Sequence, residues 1–461
     1  MDFSDNYNNL LKQMNVNFES KKLTHKISKN ASFLPFKVDL NRPFFENGFY
    51  NIFGEFSRIL MDKKMKQDFV VNDIIQNIIN DDNLDIENGS EEYFTKLLKE
   101  YVFNEKNELK LLHPYLYLYV PLSPNRHSGG EKELALFLRD IFCLENKNLV
   151  NFFKLNESNH AIINLILNKT PYLENFKTET KYLSKLNYVN DLFEADISFA
   201  IKNEKFFLDN MDNIFAFYYF FYISQLILKI SKRLNYDEDI ESLYYLLDWE
   251  NVSKNRKTLN KGYRFLKDEC NATPPRLNLI SQLNILLGTE FYLETELLEF
   301  FNDLDYESQQ EFLLILKEWI LNYRDLRKFE DTYSPEDLPD DYEQLTDFLL
   351  SSLNDKKKGV SGKAINLFML NMEEVAKHYF LKRRGSYGHV LNINRDMLLM
   401  ITALCVKDKK IKLNQLFKEY EKRGIFFDKY SKEEVVNFLT KLNLIDKKSD
   451  SGDAQYVKPV L

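Results

Sequence analysis

The sequence predicts a mainly α-helical protein, with a multi-helix N-terminal and central body followed by a C-terminal winged-helix domain that has a small β-hairpin wing. Two observations favour helices: apolar residues recur at helical spacing along most of the chain, and its 461 residues include only 13 Gly and 11 Pro. A third observation predicts the winged helix: the C-terminal region has the order helix, strand, helix, helix and hairpin.

Local patterns predict each element of this winged helix. The second helix ends at Gly424, because glycine readily adopts the left-handed conformation at a helix C-terminus. Ser431 and Glu434 form a capping box that predicts the start of the third helix. The predicted ranges are helices at 394–406 and 414–423, a strand at 410–413, a helix from 431, and hairpin strands at 444–448 and 454–460 around a turn-rich loop.

Helical patterns also dominate the rest of the chain. The stretch 111–122 is rich in aromatic residues and fits either a strand or a buried helix. The predicted regions are a mostly helical N-terminal region at 1–125, a central helical domain at 126–330, a linker with connecting helices at 331–380 and the winged-helix domain at 381–461. The clearest helices are predicted at 44–61, 70–79, 91–103, 131–144, 206–233, 240–247, 276–287, 294–326, 342–353 and 363–380.

Composition indicates a globular cytoplasmic protein. The chain is 44% hydrophobic and 29% charged, and its three cysteines lack the CxxC spacing of a redox or zinc motif. The sequence at Met1 has no pattern of a secretory leader. The apolar run 214–223 is shorter than the ~18 residues of a membrane span and has charged neighbours, so we expect a buried core helix and no membrane association.

Charge is distributed unevenly along the chain. Residues 381–461 contain 17 Lys and Arg against 10 Asp and Glu, whereas the remaining residues contain 45 against 60. A basic end on an acidic chain is typical of a protein that meets nucleic acid at that end. The alternative is that a small domain is basic only because the chain is rich in lysine.

Eight cations are candidate DNA contacts. In the third helix, Glu433 and Glu434 would oppose a polyanion, which favours the wing and the basic run before Gly385 as contacts. A protein partner for the same surface stays an open alternative. The candidates are Lys382, Arg383 and Arg384 in the basic run, Lys432 and Lys441 in the third helix, and Lys447, Lys448 and Lys458 in the wing.

The sequence predicts no catalytic, metal-binding or cofactor-binding residue. Gly359 to Ala364 is too short for a phosphate loop and lacks the hydroxyl after Lys363 that holds Mg²⁺. Ser128 to Glu131 fits a helix cap better than an anion site. The triplets Glu108-Leu-Lys110 and Glu179-Thr-Lys181 match part of a metal-dependent nuclease motif, but neither follows a convincing strand with a partner aspartate.

Short stretches at both ends of the chain carry a resemblance to one known family, and the C-terminal stretches are the more specific. At the N-terminal end they are 25–29, 33–37, 48–49 and 53–57. At the C-terminal end they are Gly388 to Leu391, Glu421 to Ile425, Leu442 to Leu444, Lys447 to Val457 and the final Leu461. In these stretches the chain resembles the DptG family, the G component of DNA phosphorothioation-dependent restriction systems.

The resemblance implies a bacterial antiviral role. Such systems mark host DNA with sulfur in its backbone and act against DNA that lacks the mark, and DptF and DptH are the expected partners. The expected function is a non-catalytic subunit that binds double-stranded DNA and serves as a scaffold. The alternative is a metal-dependent nuclease subunit of the same kind of complex, and a transcription regulator is a weaker third reading.

Overall fold

The computed structural model describes residues 2–25, 33–37, 39, 41–65, 72–80, 87, 89–105, 108–144, 146–155, 160–170, 173–237, 239–447 and 455–461. Helical residues make up 61% of the structure, and strand residues make up 7%. The predicted mainly α class is therefore confirmed.

The helices are α1 Phe3–Gln13, α2 Tyr50–Leu60, α3 Asn72–Ile79, α4 Glu91–Val102, α5 Ser128–Leu138, α6 Lys147–Lys154, α7 Ala161–Asn168, α8 Asn187–Lys202, α9 Glu204–Lys232, α10 Lys257–Asn260, α11 Tyr263–Leu287, α12 Glu294–Asn302, α13 Tyr306–Leu326, α14 Tyr342–Leu353, α15 Gly362–Tyr379, α16 Arg395–Val406, α17 Leu413–Lys422 and α18 Lys429–Lys441. The strands are β1 Lys63–Lys64, β2 Glu174–Asn175, β3 Leu243–Tyr244, β4 Leu246–Leu247, β5 Leu381–Arg383, β6 His389–Ile393, β7 Ile411–Lys412, β8 Ile425–Phe426, β9 Ile445–Lys447 and β10 Gln455–Val457.

The chain divides into two units, Leu40–Tyr219 and Met1–Asp39 with Phe220–Leu461. The four predicted regions are a division along the sequence and stay a prediction. In the unit Leu40–Tyr219, the undecided stretch 111–122 contains a buried 3₁₀-helix, Pro114–Tyr119. Arg58 on α2 donates hydrogen bonds to the carbonyls of Leu118 (3.0 Å) and Val120 (2.7 Å), which satisfies backbone groups that so short a helix leaves unpaired.

In the other unit, the helices α11, α13, α14 and α15 pack around aromatic side chains together with α1. The Phe3 ring lies 5.6 Å from that of Phe312, and the Tyr7 ring lies 6.3 Å from that of Trp319. The buried Trp319 indole donates a 2.8 Å hydrogen bond to Gln282 on α11. These contacts make the N-terminal helix part of the core that 220–461 forms.

The longest helix, α9, carries the apolar run that we expected in a core. By length and composition alone, Glu204–Asn235 is the one stretch of the described residues that could cross a membrane, and 94% of its apolar window is buried inside the protein. Burial on all sides is what a core helix requires.

Three predicted elements are wrong in detail. The stretch 240–247 is not helical but forms β3 and β4, because a short apolar run does not distinguish a helix from a buried strand. The predicted helix 294–326 is broken between α12 and α13, where Asp305 caps α13. The third helix of the C-terminal region starts at Lys429, with Asp428 rather than Ser431 as its cap.

Candidate nucleic-acid interface

The C-terminal module, residues 381–461, has the predicted order of helices and strands. Asn394 caps α16 through a 2.8 Å hydrogen bond from the Met397 amide. The strands β7, β10 and β9 form an antiparallel sheet in that order. Gly424 ends α17 with a φ of 71°, and a Cβ there would lie 2.5 Å from the Phe221 ring, so both conformation and space require glycine.

A segment from the middle of the chain completes this module. β3 pairs in parallel with β8, and β4 pairs in parallel with β6. The body segment, defined here as residues 243–256, therefore contributes two strands to the sheets of the C-terminal module. Sequence reasoning missed this because it assigned 240–247 to a helix.

Arg256 links the body segment to the start of α18 through hydrogen bonds. Its guanidinium donates to both Asp428 oxygens (2.6 and 2.9 Å), to Glu250 (2.6 Å) and to the Ser431 hydroxyl (2.6 Å). Arg256 is 4% exposed, and Ser431 is fully buried. Burial alone would raise the pKa of Asp428, but hydrogen bonds from Arg256 and the Ser431 amide outweigh it and hold that pKa below its usual value.

Trp249 forms a second attachment on the same helix. Its indole nitrogen donates a 2.9 Å hydrogen bond to Glu434, and its ring lies 5.1 Å from that of Phe438. The guanidinium of Arg395 lies 5.3 Å from the Trp249 ring. Glu434, which we expected to oppose a polyanion, is therefore engaged inside the protein.

The basic run Lys382 to Arg384 was expected to be exposed, and this is wrong for Arg384. Its guanidinium donates to the carbonyls of Leu247 (3.0 Å) and Asp248 (3.1 Å) and to Asn392 (3.1 Å). These acceptors lie on the body segment and β6, so Arg384 joins two chain segments and is half-buried.

Lys382 is paired in the same place. Its ammonium lies 2.6 Å from an Asp248 carboxylate oxygen. Burial would raise the pKa of Asp248, but hydrogen bonds from Lys382 and Asn392 hold it below its usual value. Arg383, between these two residues, is exposed.

The remaining predicted contacts differ in their surroundings. Lys432 is half-buried, with its ammonium 3.1 Å from a Glu421 oxygen and 5.1 Å from the centroid of a phenylalanine ring. Lys441 and Lys458 are exposed. Lys448 and the side chain of Lys447 lie outside the described residues.

The C-terminal module also carries exposed cations that sequence reasoning did not single out. Among the described residues, eight of its exposed cations have no carboxylate within 4.0 Å. We call them the free cations. They are Arg383, Arg395, Lys409, Lys412, Lys418, Lys429, Lys441 and Lys458.

Several cations gather on one face of the β7-β10-β9 sheet. Tyr456 is opposite Lys412 on one side and Asp446 on the other, so their side chains share a face. The Lys410 ammonium lies 5.7 Å from the Tyr456 ring centroid and 3.4 Å from Asp446. Lys458 follows two residues after Tyr456. Among the described residues, this face, the wing face, combines lysines with one aromatic ring and a single acid.

A groove of about 650 Å³ lies beside α18. Its walls come from the end of α17, from α18, from β3 and β8, and from the start of β10. Aromatic rings, lysines, amides, three carboxylates and one valine line it together. They are Tyr244, Lys257, Phe417, Glu421, Phe426, Phe427, Asp428, Lys429, Lys432, Glu433, Val436, Asn437 and Gln455.

In both glycine motifs that resemble phosphate-binding sites, a glycine lies close to backbone atoms of another segment. A Cβ on Gly130 would lie 2.3 Å from the Pro43 nitrogen, and a Cβ on Gly359 would lie 2.1 Å from the Leu353 carbonyl oxygen. Ser361 caps α15. Close backbone approach and the Ser361 cap thus account for Gly359 to Ala364. Close approach also accounts for Gly130, but the predicted cap at Ser128 to Glu131 is wrong, because α5 has no side-chain cap and Glu131 accepts hydrogen bonds from Ser123.

Neither nuclease triplet forms a metal site among the described residues. In the second triplet, the Lys181 ammonium pairs with Glu133, and the Lys181 amide donates a 2.8 Å hydrogen bond to Asp140. Glu108 accepts hydrogen bonds from Asn47 (2.8 Å) and Asn104 (2.9 Å), while Glu179 is exposed. Within the described ranges, no group of three or more His, Cys, Asp and Glu side chains is arranged to hold a metal ion.

Comparison of the chain with protein-family models and with curated proteins gave no match.

Proposed function

We propose that this protein is a non-catalytic subunit that binds double-stranded DNA through its C-terminal module and serves as a scaffold for partner proteins. One observation carries the proposal: eight exposed cations of the module have no carboxylate partner among the described residues, in a chain whose net charge is −8. Unpaired lysines and arginines are the groups that replace counterions on a phosphate backbone.

The finer fold of the module is part of this proposal. We infer a winged helix, in which α16, α17 and α18 form the helical core and the β9–β10 hairpin forms the wing. The element order and the β7-β10-β9 sheet support it. In such a fold a helix enters the major groove and neighbouring elements contact the backbone.

Two surfaces would then meet the duplex. The exposed side of α18 presents Tyr430, Glu433, Asn437 and Lys441, and amide side chains such as Asn437 suit the edges of bases. The wing face would contact phosphates through its lysines. Glu433 weakens the approach of α18, so we expect backbone contacts to contribute most of the affinity and sequence preference to be weak.

The cellular role rests on the resemblance to the DptG family. We propose a cytoplasmic component of a bacterial phosphorothioation-dependent restriction complex that acts against unmodified DNA, with DptF and DptH as its protein partners and no membrane association. Within the C-terminal resemblance, Gly388 to Leu391 falls in β6 and the residue before it, and Glu421 to Ile425 runs from the end of α17 to the first residue of β8. The mainly helical rest of the chain, outside residues 381–461, would dock the partners.

Binding is tested on the full chain by fluorescence anisotropy with labelled duplex DNA. The variant Lys412→Glu/Lys441→Glu/Lys458→Glu should weaken binding at least tenfold and lower the salt slope, because each lost phosphate contact reduces it by roughly 0.9. The matched control reverses the charge of three exposed lysines outside the C-terminal module, Lys12, Lys328 and Lys356, by replacing each with Glu. Equal losses in both variants, or a wild-type affinity that does not fall between about 50 mM and about 200 mM salt, would contradict the proposal.

A further inference from the structure

The groove beside α18 contains aromatic rings and Lys257, which the proposed duplex contacts do not use. Its lining combines rings, ammonium groups and amides with three carboxylates. Lys432 pairs with Glu421 and Arg256 pairs with Asp428, while Glu433 is exposed. We propose that this groove binds an unpaired nucleotide of a nucleic-acid strand, an inference that rests on the proposed nucleic-acid function and deepens it.

Two aromatic rings form the stacking wall. Tyr244 and Phe426 are neighbours in the parallel pairing of β3 with β8, and their ring centroids are 5.9 Å apart. Leu243 and Ile425, one residue earlier on each strand, are buried on the opposite side at 1% and 2% exposure. The alternation of a strand therefore directs both rings into the groove, where half-buried aromatic faces can stack on a base.

Two lysines lie where the phosphate of such a nucleotide would be. The Lys257 ammonium is 5.1 Å from the Tyr244 ring centroid and 3.4 Å from the Tyr244 hydroxyl, and Lys429 lines the same groove. Both are exposed, and neither has a carboxylate within 4.0 Å among the described residues. Lys432 differs because Glu421 neutralises it at 3.1 Å.

The amides of Asn437 and Gln455 complete the lining. An amide offers both a donor and an acceptor, which suits the hydrogen-bonding edge of a base that is not paired. A volume of about 650 Å³ falls in the usual range for a bound small molecule or single nucleotide unit. Proteins bind single strands by combining aromatic rings that stack on bases with lysines that contact the phosphates, and this groove has both beside its amides.

The test measures the affinity of the full chain for labelled oligothymidine and, separately, for duplex DNA. Lys257→Glu and Tyr244→Leu should each lower single-strand affinity at least about fivefold, the lower end of the effect of losing a stacked base. Both should leave duplex affinity within about twofold. Tyr244→Phe should restore single-strand affinity because it retains the ring. Lys254→Glu, at an exposed lysine outside the groove, is the charge-matched control.

Lys257 is exposed, so its replacement tests the groove without removing a core side chain. Ultraviolet crosslinking of the oligothymidine should place the adduct in peptides that contain Tyr244 or Phe426. Absence of single-strand binding, or equal affinity in Lys257→Glu and Lys254→Glu, overturns the inference and leaves the groove to a protein segment. A chain that binds single strands through the groove but binds no duplex would contradict the proposed duplex function and not this inference.

Discussion

The β5–β6 hairpin and the β7-β10-β9 sheet belong to the same module, and each carries basic residues at its surface. In the first, Lys382 and Arg384 are held by Asp248 and by carbonyls of the body segment. In the second, Lys412 and Lys458 are exposed with no carboxylate within 4.0 Å among the described residues. The difference teaches that a run of cations indicates a binding surface only when no other part of the chain supplies acceptors for it.

Removing the body segment should have the largest effect on this comparison. A fragment of residues 381–461 lacks β3, β4 and Arg256, so it would expose the edges of β6 and β8 and leave Asp428 without its partner. We expect the fragment to be unfolded or aggregated by circular dichroism and gel filtration. A folded, monomeric fragment that binds DNA like the full chain would contradict the dependence of the module on the body segment.

Arg256→Ala should destabilise the full chain strongly. The substitution leaves Glu250 and Asp428 buried without their cation, and breaking such a buried pair costs about 3–5 kcal/mol of the free energy of unfolding. Urea denaturation measures the loss. A matched control is Arg383→Ala, at an exposed arginine, and a similar midpoint for both variants would show that the buried cluster is not structural.

Arg384→Ala and Arg383→Ala separate the two neighbours in the basic run. Arg384→Ala should lose about 1.5–3 kcal/mol of unfolding free energy, because a charged donor to three acceptors is removed. Arg383→Ala should stay within about 0.5 kcal/mol and affect only DNA affinity. Thermal denaturation and anisotropy on the same samples distinguish these outcomes, and the reverse pattern would make Arg384 the contact with DNA.

Lowering the pH should destabilise the buried cluster of Arg256, Glu250 and Asp428. The folded-state pKa of Asp428 is held below its usual value, so its contribution to stability is present above the unfolded pKa of about 3.9 and is lost as pH falls further. The free energy of unfolding of the wild type should therefore fall more steeply below about pH 4 than that of Asp428→Asn. Identical slopes in the two proteins would rule out this carboxylate as a source of acid sensitivity.

Much of the local structure of the C-terminal module could be predicted from sequence. The predicted helices 394–406 and 414–423 correspond to α16 and α17, and the predicted strands include β7, β9 and β10. The reasons are local: Asn394 caps α16, and Gly424 accepts the φ of 71° that ends α17. The start of α18 was misplaced because Asp428 and Ser431, three positions apart, are both residue types that cap helices. Asp428 is the cap, and the Ser431 hydroxyl is buried and accepts a hydrogen bond from Arg256.

The composition of the candidate interface could be predicted only in part. Lys441 and Lys458 were recognised and are exposed, but Lys257 was assigned to an acidic body. A local signal for it existed: residues 254–267 contain six cations and no acid. Averaging charge over the whole body hid that segment, and no local pattern brings Tyr244 beside Phe426.

The sequence by itself determined the mainly helical class, the helices of the C-terminal module and the excess of positive charge at that end, because spacing, caps and composition are properties of neighbouring residues. The tertiary structure alone decided which cations are free and what the groove contains. Arg256 meets Asp428, 172 residues later in the chain, and Arg384 meets acceptors 137 residues earlier. Hydrogen bonds and ion pairs between such distant residues depend on how strands pair across the fold, which no local pattern specifies.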